Sequence, residues 1–564
     1  MFQFLRSRPP TKDPSDPFET PTSASAWFRQ LPAHDVIGRQ QQVIRAFDAM
    51  RRAGKRIDLE RLSAIEWLDA ALGPDRRQLQ KQYANNTTGS AALNERIWTA
   101  AYDISQGFIR VYKNALDHAL ASVKIPQWKR VLPQLLARLI HFYGTDAELR
   151  VLRNERWIPG KWLELHRLYQ QAVELGIERV PVTVVAAEPG DAPSSVEEEY
   201  LFVLFTHLLN TGTFTPAEVS WVSAQLRAWC HGLVLETTPH LSGGFCVDIT
   251  GKMGLVRCSG TDRGATFRYL DIASVVYPLE RAITALRQAG GADAGIAGPS
   301  KEQRLAIFEK LRLVLSQSAD TVPDRQPRMR VSLPVEVWVG LLPICQQLAL
   351  KGKGDDSFEE SEAESEGALT SEVALAPPSV GEGRNRLRGA LPDRGVPPWQ
   401  MEDRSNGGFL LAASGGAGQN LTLGALIAVR ELRAANWVLG VVRRLNREPN
   451  RLEAGVSIIS TDQVAITLHA KRHAREDMGF VVDGIDVSTI GTRFDGIYLP
   501  PPSRPENPVS TKTMIIPTSE YAHGRNVVLI TTRSVYTVAL HKAFEQRPEW
   551  TWAAVEIASK IGRG

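Results

Sequence analysis

Near residue 330 the spacing of apolar residues changes, and the change divides the chain into two kinds of structure. Val331, Leu333, Val335, Val337 and Val339 occupy every second position, an alternation that a helix would smear around its circumference and a strand places on one face. From about 36 to 230 the spacing is three and four instead. Residues 92–120 show it best: Leu93, Ile97, Ala100, Ile104, Phe108, Val111, Ala115 and Ala119 recur at helical steps, while Glu95, Arg96, Asp103, Arg110 and Lys113 fill other positions. This predicts an amphipathic helix. At 564 residues the chain is too long for one core, so two to four domains are expected.

Local signals refine the division. Residues 1–30, rich in Pro, Ser and Thr, read as a flexible tail. Thr215-Pro216-Ala217-Glu218 and Ser300-Lys301-Glu302-Gln303 carry a capping hydroxyl and a reciprocal side chain at the third helical position, the order that opens a helix. Phe245, Val247 and Ile249 alternate before Gly251, which predicts a short hairpin near 244–257 inside a mostly helical scaffold at 31–320. No 34-residue repeat is present. Past Cys345 the run KGKGDDSFEESEAESEG opens a polar, acidic stretch at 351–395, expected to be a solvated insertion. Closely spaced β segments follow, which places an antiparallel barrel at 321–470 around that insertion and a second small β unit at 471–564. The expected fold class is therefore α+β and multidomain.

Composition narrows the function. Apolar residues are 43% and charged residues 23%, so disorder has to be local. A formal charge of +4 without a lysine-rich tail argues against polynucleotide binding. Four scattered cysteines and the lack of an apolar run of about 18 residues or of a secretory leader suggest a reducing, cytoplasmic setting without membrane insertion. His469 and His473 form an HxxxH pair without a third ligand, and Cys230, His231, His240, Cys246 and Cys258 fit no common zinc spacing, so no metal is expected. Ser414-Gly-Gly-Ala-Gly418 lacks the ending of a phosphate loop and reads as a hairpin loop, and there is no nucleophile elbow. An enzyme is not expected.

One segment points to a ligand. In Trp399-Gln-Met-Glu-Asp403-Arg-Ser405-Asn-Gly-Gly408-Phe-Leu, the residues Asp403, Ser405 and Gly408 match D-x-S-x-x-G, and GALIAVRE, WVLGVVRRLN and LEAGVSII follow as strands. On these residues the C-terminal part, about 130 residues and none of the first 320, resembles the PilZ-domain family of bacterial cyclic di-GMP receptors. The resemblance implies a barrel that binds cyclic di-GMP and governs motility, adhesion or export. The family's RxxxR element is displaced here. Arg325, Arg328 and Arg330 precede the first strand without the four-residue spacing, whereas Arg384 and Arg388 have it at the end of the insertion. Either set could serve, alongside Asp403, Ser405 and Gly408.

The chemistry is intelligible by itself. A carboxylate accepts from the guanine ring N–H and amino group, and arginine forks grip phosphate or guanine O6/N7 at two points. Between 384 and 451 stand eleven arginines, five acids and no lysine. The same D-x-S-x-x-G pattern also makes an ordinary turn. Two functions are thus open: a cyclic di-GMP receptor signalling to a protein partner through its helical region, or a nucleotide-free PilZ-like adaptor working through protein–protein contact.

Overall fold

The computed structural model describes residues 16–562 except 87–89, 123, 185–192, 240–243, 259–262, 289–297, 317–327, 351–357, 359–398, 415–417, 419–420, 433, 435, 449, 472–480, 483–484, 487–489, 504–508 and 532. The chain forms two compact units, Met1–Asp324 and Arg325–Gly564.

The first unit is built on eight helices: α1 (Pro21–Phe28), α2 (Val36–Arg52), α3 (Leu59–Asn85), α4 (Ala91–Ala121), α5 (Pro126–Leu152), α6 (Pro159–Leu175), α7 (Val196–Leu208) and α8 (Pro216–Cys230). A three-stranded sheet follows, β1 (Phe245–Asp248), β2 (Val256–Arg257) and β3 (Phe267–Leu270) in the order β2-β1-β3, then α9 (Ala273–Gln288) and α10 (Lys301–Leu315). Helix α4 buries the periodic stripe read from the sequence, except that Leu93 in its first turn is exposed. Both predicted capping boxes form: Thr215 with Glu218 opens α8, and Ser300 with Gln303 opens α10. The predicted hairpin is β1–β2, and β3 on the other edge of β1 went unread.

The expected tail needs correction, because α1 lies inside it. Thr20 and Ser23 cap each other reciprocally, Pro21 sits at the first helical position, and Phe18 is buried against Phe47 with ring centroids 5.2 Å apart. A Pro/Ser/Thr-rich composition marks helix starts as well as tails.

A buried ionic network joins the middle helices. Glu199 in the first turn of α7 accepts from Arg227 of α8 at 2.8 and 3.0 Å and from Ser194 at 2.9 Å, and its other oxygen lies 3.1 Å from His141 Nδ1 of α5. Burial alone raises this carboxyl, but Arg227 and His141 outweigh it and bring the pKa down to about 2.

The second unit holds two closed antiparallel barrels. The first consists of β4 (Met329–Val339), β5 (Trp399–Arg404), β6 (Gly408–Ser414), β7 (Leu426–Glu431), β8 (Val438–Glu448) and β9 (Arg451–Ser460), ordered β4-β5-β6-β9-β8-β7. Helix α11 (Leu341–Ala349) leaves β4 through Gly340, whose φ of 91° places it in the left-handed region that favours glycine. The second barrel consists of β10 (Val464–Lys471), β13 (Ile490–Leu499), β14 (Thr513–Pro517), β15 (Asn526–Ile530), β16 (Ser534–Gln546) and β17 (Trp550–Gly562), ordered β10-β13-β14-β17-β16-β15, with a ribbon of β11 (Val481–Val482) and β12 (Ile485–Asp486) between its first two strands. The α+β multidomain expectation holds, and the second β unit proves to be a complete barrel that begins inside the stretch assigned to the first.

Three cores explain the apolar runs. Ile427, Val429 and Val442 face the interior of the first barrel, and Val464, Ile466, Met514 and Ile516 that of the second. Their neighbours Leu426, Ala428, Val441, Ala465 and Ile515 turn outward into a third cluster with Ile344, Cys345 and Leu348 of α11 and with Trp550 and Trp552. Strands buried on both faces lose their polar alternation, which is why GALIAVR reads as a continuous run.

His469 lies on strand β10, and His473 is outside the described residues. Two further expectations change. The stretch from Ser414 is not a hairpin loop, because β6 pairs with β9 and the chain crosses from there to β7. Of the acidic stretch 351–395, Phe358 lies within the described residues and is not solvated. It is buried in the second barrel, edge-on to Tyr498 and Tyr536 with centroids 4.7 and 5.1 Å away.

Candidate functional site

The start of β4 and the β5–β6 turn meet at one rim of the first barrel. Met329 pairs with Arg404 and Arg330 with Asp403, after which both ladders shift: β4 carries Val331 and Ser332 where β5 has only Glu402, and Glu402 is also extra against β6. Such bulges bend a strand and re-aim its side chains. Arg328, just ahead of β4, donates from one guanidinium nitrogen to both Asp403 oxygens at 3.2 and 3.3 Å. Arg330 is exposed and makes no ion pair among the described residues.

The turn is closed by its own backbone. Ser405 donates its N–H to the Gly408 carbonyl at 2.8 Å and its hydroxyl to the same oxygen at 3.3 Å, while Ile458 N–H donates to the Gly407 carbonyl at 2.9 Å. Gly408 is needed for the approach of β6 to β9, since a Cβ there would collide with the Val456 carbonyl oxygen.

Of the strand-proximal set, Arg328 and Arg330 stand with Asp403 and Ser405 at this rim; Arg325, Arg384 and Arg388 lie outside the described residues. Among the described residues, the arginines of this stretch mostly have structural uses. Arg404 pairs with Glu431 at 3.2 Å, Arg430 pairs with Glu336 and covers the Trp437 ring, Arg443 takes both Glu545 oxygens at 2.6 Å, and Arg447 donates to the Gly418 and Leu421 carbonyls. Arg451 binds Glu402, a pair that sequence reasoning missed because neither residue belongs to the turn pattern. No group of three or more metal-ligating side chains occurs among the described residues. Chemically the rim offers two exposed guanidinium groups beside a carboxylate, a set that suits an anion carrying N–H donors.

The molecule is thus a multidomain α+β protein with a helical unit and a pair of like-ordered barrels, one of which bears an arginine–carboxylate rim. Residues 22–240, spanning α1 to α8, match the family described as Cyclic-di-GMP receptor FimW, N-terminal domain. This is the region in which the sequence carried no resemblance, and the match does not reach the barrels. No curated protein and no solved structure matches the chain. None of the helices among the described residues is long and apolar enough to cross a membrane.

Proposed function

We propose that this chain is a cytoplasmic, cyclic di-GMP-responsive regulatory protein whose first barrel, a PilZ-like domain, takes the dinucleotide at the rim of Arg328, Arg330, Asp403 and Ser405, and whose helical unit signals to a protein partner. The observation that carries this reading is the register that sets Arg330 opposite Asp403 with Arg328 bonded to the same carboxylate. The match of residues 22–240 to the N-terminal domain of a cyclic di-GMP receptor supports it from the other unit.

Binding is then an exchange of partners. Asp403 gives up Arg328 and accepts from the guanine ring N–H and amino group, and the freed guanidinium joins Arg330 on phosphate. The ligand shifts the protein only as far as it prefers that arrangement to the closed pair. No bond is made or broken, so the role is that of a receptor.

Calorimetry on the full chain tests it: cyclic di-GMP should give saturable heat and GTP should not. Arg328 and Asp403 already pair with each other without a ligand, which favours a nucleotide-free adaptor as the second reading. Absence of heat with the dinucleotide would overturn the receptor reading in its favour.

A further inference from the structure

Glu402 is the surplus residue of β5. Against β6 the register passes from Met401–Leu411 directly to Asp403–Leu410, leaving Glu402 without a partner. On its other side it faces both Val331 and Ser332. Side chains alternate along a strand, so the bulge decides which face Asp403 occupies. If Glu402 rejoined the ladder, the register beyond it would slip by one residue and Asp403 would turn to the opposite face of the sheet.

An unpaired bulge residue is the least restrained point of a ladder, yet this one is tied down. Arg451 opens β9, on the far side of β6 from β5, and reaches across that strand to hold both Glu402 oxygens at 2.7 and 2.6 Å. Its Nε is held in turn by Glu453 at 3.1 Å. Met401, on the other side of Glu402 from Asp403, is anchored in the barrel core. The bulge is therefore pinned by apolar burial on one side and by a two-oxygen ion pair at its centre.

We infer that Glu402 and Arg451 are positioning residues that hold the β5 bulge so that Asp403 faces Arg328 and Arg330. The inference rests on the proposed dinucleotide site, and among the described residues neither the Glu402 nor the Arg451 side chain forms a hydrogen bond or ion pair with Arg328, Arg330 or Asp403. Arg451→Ala frees the bulge and should weaken cyclic di-GMP binding by about fivefold, the scale of one well-formed, partly exposed ion pair. The charge-swapped double variant, Glu402→Arg with Arg451→Glu made in a Glu453→Gln background so that no second carboxylate faces position 451, should recover most of that loss, which a general effect on folding would not do.

A ligand-free measurement separates the two ideas. Hydrogen exchange of the peptide covering residues 399–405 should quicken in Arg451→Ala and return toward the parent in the double variant. If the parent gives no heat with cyclic di-GMP, the site reading fails while exchange still decides the clamp. Unchanged exchange in Arg451→Ala, unchanged affinity in that variant against a binding parent, or a double variant that folds but recovers neither, would each overturn the clamp.

Discussion

The first and second barrels run their six strands in the same order, and each closes by pairing its first strand with its fourth, yet their second-to-third connections differ completely. In the first barrel the connection is the tight Ser405–Gly408 turn after a bulge that brings Asp403 to the arginines. In the second it is the long run from Pro500 to Lys512, rich in proline. The interiors differ less: both are mostly aliphatic with one methionine, but the first buries Phe409 where the second buries Phe358, Tyr498 and Tyr536. Strand order thus sets a scaffold and the connection sets the chemistry. A barrel lacking the bulge and turn has no rim of this kind, however similar its topology.

The largest expected effect tests whether the barrels, different at their rims, share one stability. Trp550 is buried in the cluster between them, and its indole N–H donates to the Gly424 carbonyl of the first barrel at 3.1 Å. Trp550→Ala should cost about 3–5 kcal/mol, as large aromatic truncations in cores do. Native-state hydrogen exchange should then show protection falling in β8 and β14 together. Loss confined to β14 would mean that each barrel stands by itself.

The next effect separates their binding. Arg330→Ala, or Arg328→Ala, should cost about 1.5–3 kcal/mol of cyclic di-GMP affinity, roughly ten- to over a hundredfold. The ligand should protect amides of the first barrel's rim and leave the 500–512 connection of the second unchanged. Titration calorimetry and exchange read the two parts, and parent-like affinity in both variants would remove the site from this rim.

The smallest effect concerns the link. Burial alone raises the Glu545 carboxyl, but Arg443 of the first barrel and Arg547 outweigh it and lower its pKa from the ordinary 4.5. A carboxyl lowered in the folded state contributes stability above the ordinary carboxylate range and loses it as pH falls through 4.5 and below. The loss should be about 1 kcal/mol. The urea midpoint should fall further between pH 6 and pH 4 in the parent than in Arg443→Ala, and equal acid sensitivity would exclude this pair as the cause.

What the sequence determined by itself was local. The alternation at 331–339, the stripe of α4 and the capping boxes at Thr215 and Ser300 all depend on residues within a few positions of one another, and all are present in the structure. The turn at Ser405–Gly408 was legible for the same reason. What only the tertiary structure decided depends on groups far apart in the chain. Gly408 answers to the Val456 carbonyl, Glu402 to Arg451, and the buried Phe358 to tyrosines well over a hundred residues away. Closure of each barrel is a pairing of first strand with fourth that no local pattern encodes. Apolar spacing records which face of an element avoids water, but not which partner covers it, and the candidate rim is made of partners.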